Sequence, residues 1–174
     1  IDTPADQVRR NRLGILEYAK TGVGMVLLRE QILGPERFDK AFRTYIKDWA
    51  FKSPTPADFY RTMENASGMD LGWFWRGWFN EIGALDQAVT KIEQKEAGDV
   101  SITFENLDRL VMPIVYEVTY EDGSTERRRL PVEAWFNTNT WTVTFSPGKE
   151  VESVTIDPDK KFPDINRKNN TLEN

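Results

Sequence analysis

A chain of 174 residues, 39% hydrophobic and 12% aromatic, can bury a core as one large or two small domains. Its formal net charge of −5 offers no basic face to a phosphate backbone, and the densest basic run is only Arg127 to Arg129, so nucleic acid is not an expected partner. With no histidine and no cysteine it has neither a disulfide nor a thiol nucleophile, and no zinc site of imidazole or thiolate ligands can be assembled from it.

The first half reads as helical. Thr3-Pro4-Ala5-Asp6 combines an N-cap residue, a proline at the first helical position and an early acid, and predicts a helix running toward Glu17. A second helix is expected from about Thr21 to Leu33, with Val23, Val26, Leu27 and Glu30 along its buried edge. Gly34-Pro35 ends one helix and starts another. In 35–51 the residues Phe38, Phe42, Tyr45, Ile46 and Trp49 recur at three to four positions, as an amphipathic helix requires. Thr55-Pro56-Ala57-Asp58 repeats the cap-and-proline start, and Gly68 supplies a stop.

Ser67 to Phe79, SGMDLGWFWRGWF, holds three of the six tryptophans. Asp70 resembles a cap, and no β-branched residue interrupts Leu71 to Phe79. As a helix this segment places Leu71, Phe74, Trp75 and Trp78 on one face, with Trp73 and Phe79 flanking it. So much aromatic surface predicts a helix wedged between layers.

After Gly83 the hydrophobic period changes from about 3.6 to 2. Val100, Ile102 and Phe104 alternate with polar neighbours, as do Ile114, Tyr116, Val118 and Tyr120, then Leu130 and Val132, then Trp141, Val143 and Phe145. Asp122-Gly123 is the strongest hairpin signal, and Pro147-Gly148 turns the chain before Val151, Val154 and Ile156. Short strands with no helix between them predict an antiparallel sandwich. The expected fold is therefore α+β and multidomain, an all-α helical bundle followed by an antiparallel immunoglobulin-like β-sandwich. The domains are expected at 1–83 and 84–166, with a polar tail at 167–174. No apolar stretch approaches the ~18 to 20 residues of a membrane span, and no charged-then-apolar leader opens the chain.

The segments Glu17 to Ile46 (EYAKTGVGMVLLREQILGPERFDKAFRTYI), Trp49 to Gly68 and Ser67 to Phe79 together resemble the end of the catalytic domain of aminopeptidase N type, thermolysin-like (gluzincin) zinc metallopeptidases. Residues 1–83 resemble the helical C-terminal subdomain of that peptidase domain, and 84–166 resemble the small β-domain that follows it, especially in bacterial members. The resemblance implies a C-terminal fragment of a zinc-dependent aminopeptidase whose H-E-x-x-H zinc motif lies upstream. The chain itself lacks the imidazoles for it. No cofactor is then expected in this chain and zinc is expected in the full-length parent. Peptide substrate would be bound largely through the missing N-terminal half, and the fragment alone would be inactive. A periplasmic or extracellular parent is the expected location.

Tyr18 is the candidate catalytic residue. Glu17-Tyr18-Ala19-Lys20-Thr21-Gly22 stands where the family carries a tyrosine whose hydroxyl donates to the oxyanion of the tetrahedral intermediate. A neutral phenol aimed where negative charge grows stabilises the transition state more than the substrate. The alternative for Tyr18 is a packing aromatic. Met63-Glu64-Asn65 matches part of the family's Gly-x-Met-Glu-Asn signature, but Arg61 stands at the glycine and the triplet falls in a capped helix after Tyr18, so Glu64 reads as a solvated helix charge.

Asp157, Asp159, Asp164, Asn166, Asn169 and Asn170 suggest calcium by composition, yet their spacing fits turns and a polar end better. Trp135 and Trp141 read either as a sugar-binding face or as sandwich core. A second function from a different class is a non-catalytic module that binds a protein or glycan.

Overall fold

The computed structural model describes residues 7–95 and 98–174. The Thr3-Pro4 helix start lies outside the described residues. Two compact units divide the chain, Ile1–Ile82 and Gly83–Asn174.

In the first unit, helix α1 (Arg10–Leu13) runs without a break through a π-helical turn (Gly14–Lys20) into α2 (Thr21–Leu27) and a second π-helical turn (Leu28–Leu33). The two helices expected on either side of 18–20 are thus one. Lys20 keeps helical dihedrals (φ −62°, ψ −43°), and wider i→i+5 turns absorb the change of phase. That change also moves the buried edge. Leu27 and Leu28 are buried, whereas Val23 and Val26, expected inside, are 45% and 60% exposed.

Gly34, at φ 80°, stops this helix, and α3 (Pro35–Trp49) starts with proline at its first position. Its buried line is Phe38 and Ala41, while Ile46 of the expected face is solvent-exposed. α4 (Pro56–Ser67) begins with a capping box: the Asp58 carboxylate accepts the Thr55 N–H at 2.8 Å and its hydroxyl at 2.7 Å. Gly68 closes it in the left-handed conformation at φ 70°. α5 (Gly72–Trp75) continues as a π-helical turn (Arg76–Asn80). Leu71, Phe74, Trp75 and Trp78 are buried as expected, and the π turn brings Phe79 in with them. Trp75 stacks on Tyr60 of α4 at 4.6 Å between ring centroids, and Phe74 stacks on Trp78 at 6.2 Å.

Trp78 also fastens α2. Its indole N–H donates to the Lys20 carbonyl at 3.0 Å. A Cβ on Gly24 would lie 2.2 Å from Trp78 Nε1 and 2.7 Å from Cδ1, closer than real contacts allow. Gly24→Ala is therefore expected to destabilise the helical unit by about 1–3 kcal/mol through overpacking, because the ~1 kcal/mol of helix propensity gained is smaller than the clash with a buried, rigid indole. Chemical denaturation followed by helical circular dichroism checks this; an equal or raised midpoint would contradict the close approach.

The second unit holds two antiparallel sheets. β1 (Gln87–Gln94), β2 (Val100–Asn106) and β5 (Thr140–Phe145) pair in the order β1-β2-β5. β3 (Ile114–Tyr120), β4 (Thr125–Leu130), β6 (Val151–Ile156) and β7 (Thr171–Glu173) pair in the order β4-β3-β6-β7. Ile102 and Phe104 of the first sheet and Ile114, Tyr116, Val118, Val154 and Ile156 of the second are buried, and the Phe104 and Tyr116 rings meet across the sheets at 4.8 Å. The α+β class and antiparallel sheets hold. The expected hairpin at Asp122-Gly123 joins β3 to β4, with Gly123 at φ 77°. Val132, expected in a strand after Pro131, lies in a 3₁₀ turn (Val132–Trp135). The segment 167–174, expected as a polar tail, ends in β7, which pairs with β6.

Gln94 joins the sheets by a different route. Its side chain donates to the Val151 carbonyl at 3.3 Å and accepts the Val151 N–H at 3.1 Å, reproducing a strand-like pair from a side-chain amide. Tyr120 is buried and donates its hydroxyl to Glu126 at 2.8 Å. Burial, then this bond, push its phenol up to about 12. An unfolded phenol ionises near ~10, so the folded unit keeps a proton that the unfolded chain has lost. This contribution is complete below about pH 10 and vanishes as pH rises toward the folded value of about 12. Stability should fall across that alkaline window and fall less in Tyr120→Phe, as pH-dependent urea midpoints will read.

Candidate functional site

Tyr18 sits in the π-helical turn Gly14–Lys20 with its side chain 80% exposed. Two residues later the helix is pinned, since Lys20 gives its carbonyl to Trp78 and holds its ammonium 5.7 Å over that ring. Burial draws the Lys20 pKa down from its ordinary value. Gly24, one turn further, lets the indole come flush with the backbone. The segment carrying Tyr18 is thus fixed on the side of the aromatic core, while the phenol itself stays open. Such a group can donate one hydrogen bond to a developing oxyanion.

Among the described residues, no hydrogen-bond partner or metal ligand set joins Tyr18. Among the described residues, no three of His, Cys, Asp and Glu converge on a point that could hold a metal ion. A chain without histidine or cysteine does not offer the nitrogen and sulfur ligands that zinc takes, so the residues present do not fit that metal. No zinc-dependent step is assigned to this chain's side chains.

Glu64 is not a solvated charge. It is half-buried, and its carboxylate accepts the Leu71 N–H at 3.2 Å, tying the end of α4 to the start of α5. Asp70 accepts the next free donor, Gly72 N–H, at 2.9 Å. Met63 is fully buried, so two of the three residues of the Met-Glu-Asn triplet have structural contacts, while Asn65 is exposed.

The carboxylates of the acidic and amide cluster are engaged by protein donors, whereas the buried side-chain oxygens of Asn169 and Asn170 have no donor among the described residues. Asp157, buried and at φ 48°, accepts the N–H groups of Lys161 and Phe162 at 2.8 and 2.9 Å and the Arg167 guanidinium at 3.0 Å. Asp159 forms a two-pronged pair with Arg127, and Asp164 accepts the Gln87 and Asn166 N–H groups. Of the two tryptophans, Trp135 is core, with its N–H on the Met112 carbonyl at 2.9 Å, and Trp141 is 41% exposed on β5.

Gly24 and Glu64 are the residues that sequence reasoning missed. Two glycines inside one helical pattern, Gly22 and Gly24, were the available signal for the first, because each costs about 1 kcal/mol in a helix and needs a packing reason. Glu64 had no comparable local signal, since its partner Leu71 lies beyond a helix stop.

Residues 10–78 match the peptidase family M1 domain. A stretch of 68 residues is 29% identical to glutamyl aminopeptidase of Sus scrofa, covering 39% of this chain and 7% of that protein. The fold is similar to that of Legionella pneumophila aminopeptidase A, solved in complex with aspartic acid, with a TM-score of 0.60 and 18% identity over 85% of this chain and 17% of that one. The chain therefore spans less than a fifth of the length of either relative. No helix among the described residues is long and apolar enough to cross a membrane.

Proposed function

We propose that this chain is the end of the catalytic domain, with the β-domain that follows, of a longer zinc-dependent aminopeptidase, and that Tyr18 is its oxyanion donor. The observation that carries the reading is the exposure of Tyr18 within the M1-type segment. Phe74, Trp75 and Trp78 in the same segment are buried, whereas the Tyr18 phenol is 80% exposed on a pinned helix and open to a substrate. In this reading the zinc, its ligands, the general base and the groups that bind the substrate's free amine belong to a preceding gluzincin segment, and the substrate is a peptide. The helical unit supplies one wall of the cleft.

The β-domain is, on this proposal, an immunoglobulin-like sandwich. Taking its strands in order, β1-β2-β5 opposite β4-β3-β6-β7 departs from the constant-type immunoglobulin arrangement in one respect: the fourth strand pairs with the third and not with the fifth.

The coding sequence ahead of Ile1 tests the proposal. An in-frame H-E-x-x-H followed by a second glutamate is expected, and an unrelated domain directly upstream would sink it. The chain by itself should take up no zinc and release no product from an amino-acid amide. Elemental analysis and a fluorogenic assay measure both, and stoichiometric zinc with turnover above blank would show that the catalytic site is misplaced.

A further inference from the structure

Three of the four sheet edges in the β unit carry features that block further strand pairing. β1 bears Lys91 and Glu93, a register shift between Val89 and Lys91, and a Val89 N–H already bonded to the Asn169 carbonyl. β4 carries Glu126 and Arg127 to Arg129 in succession. β7 is three residues long. The fourth edge, β5, has none of these: Thr140-Trp141-Thr142-Val143-Thr144-Phe145 contains no charge, proline, glycine or bulge, and it pairs with β2 in unbroken register. Trp141, opposite the buried Phe104 on the inner face, remains 41% exposed at this edge.

We propose that the β5 edge is a self-association surface, on which a second copy of this chain adds its own β5 antiparallel to make a continuous six-stranded sheet. An uncharged strand can meet itself about a twofold axis without opposing like charges, which β1 and β4 cannot do. The pleat restricts the register. Trp141, Val143 and Phe145 share the inner face with Phe104, Ile102 and Val100, while Thr142 and Thr144 share the outer face with Thr103 and Ser101, so only registers that match faces are allowed. Thr140 has its N–H and carbonyl already bonded to the Thr138 hydroxyl, which removes the register that needs Thr140. Of the registers left, the one centred on Val143 keeps the most residues of the strand paired. It sets Trp141 against Phe145 of the second copy and Thr142 against Thr144 of the second copy. The hydroxyl ladder that joins Thr103 to Thr142 and Ser101 to Thr144 at 2.9 Å would then continue across the twofold.

Sedimentation of the 174-residue chain across a concentration series reaching roughly 1 mM tests the proposal, with two double variants at exposed side chains. Combining T142K with T144K opposes like charges in both Thr142–Thr144 pairs, and combining T142K with T144E opposes unlike charges at the same places. The parent chain should dimerise, and the T142K/T144E variant should dimerise about tenfold or more tightly than T142K/T144K. A parent chain that stays monomeric overturns the proposal, and so does a dimer that the two variants weaken equally. Circular dichroism of both variants confirms that the unit is folded.

Discussion

Tyr18→Phe, placed in a chain long enough to include an H-E-x-x-H segment, is expected to lower kcat by about 10²- to 10³-fold, or ~3–4 kcal/mol, with little change in KM or thermal midpoint. The substitution removes one oxygen from a side chain that is 80% exposed, so neither packing nor the helix is disturbed. The lost hydrogen bond is made mainly where negative charge accumulates, which is why the loss belongs to kcat. Steady-state kinetics with a matched thermal melt separate the two roles available to Tyr18. Full kcat in the variant would return it to an ordinary surface residue of α1's extension.

Trp75→Ala is expected to act in the opposite sense, costing about 3–5 kcal/mol of stability while whatever remains folded keeps its kcat. Trp75 is 4% exposed and packs against Phe59, Tyr60, Phe74 and Phe79, so truncation opens a cavity among aromatic rings that cannot close around it. Its indole N–H has no acceptor among the described residues, unlike that of Trp78. Trp75→Phe should accordingly be milder than Trp78→Phe, which also strips the Lys20 carbonyl of its partner, by about 1 kcal/mol. Equilibrium denaturation of the three variants measures the order. Equal losses in the two phenylalanine variants would mean that the Trp78–Lys20 bond contributes nothing.

By itself the sequence determined the features that depend on residue type or on close neighbours along the chain. The absence of histidine and cysteine rules a zinc site of imidazole or thiolate ligands out of these residues. Proline at the first helical position marks α3 and α4, Gly68 stops α4, and Asp122-Gly123 turns β3 into β4, because each signal acts over four residues or fewer. The period-2 segments of β2, β3 and β5 were legible for the same reason. Tyr18 as a candidate came from a pattern of residues over a long span, and its exposure came from the fold.

Only the tertiary structure decided how these pieces are used. The continuous helix from Arg10 to Leu33 contains π turns and keeps the expected Leu27 buried, adds Leu28, and leaves Val23 and Val26 exposed, and no local propensity announces such a turn. Gly24 is needed because Trp78 lies against it, and the Lys20–Trp78 bond joins residues 58 positions apart. β7 is polar, and it is a strand because β6 offers it a ladder. The Asp157 carboxyl group is accommodated in the interior because two loop N–H groups and Arg167 converge there. In each case the deciding contact is made by groups far apart in the chain or by backbone donors that any residue could supply, and a hydrophobic pattern records neither.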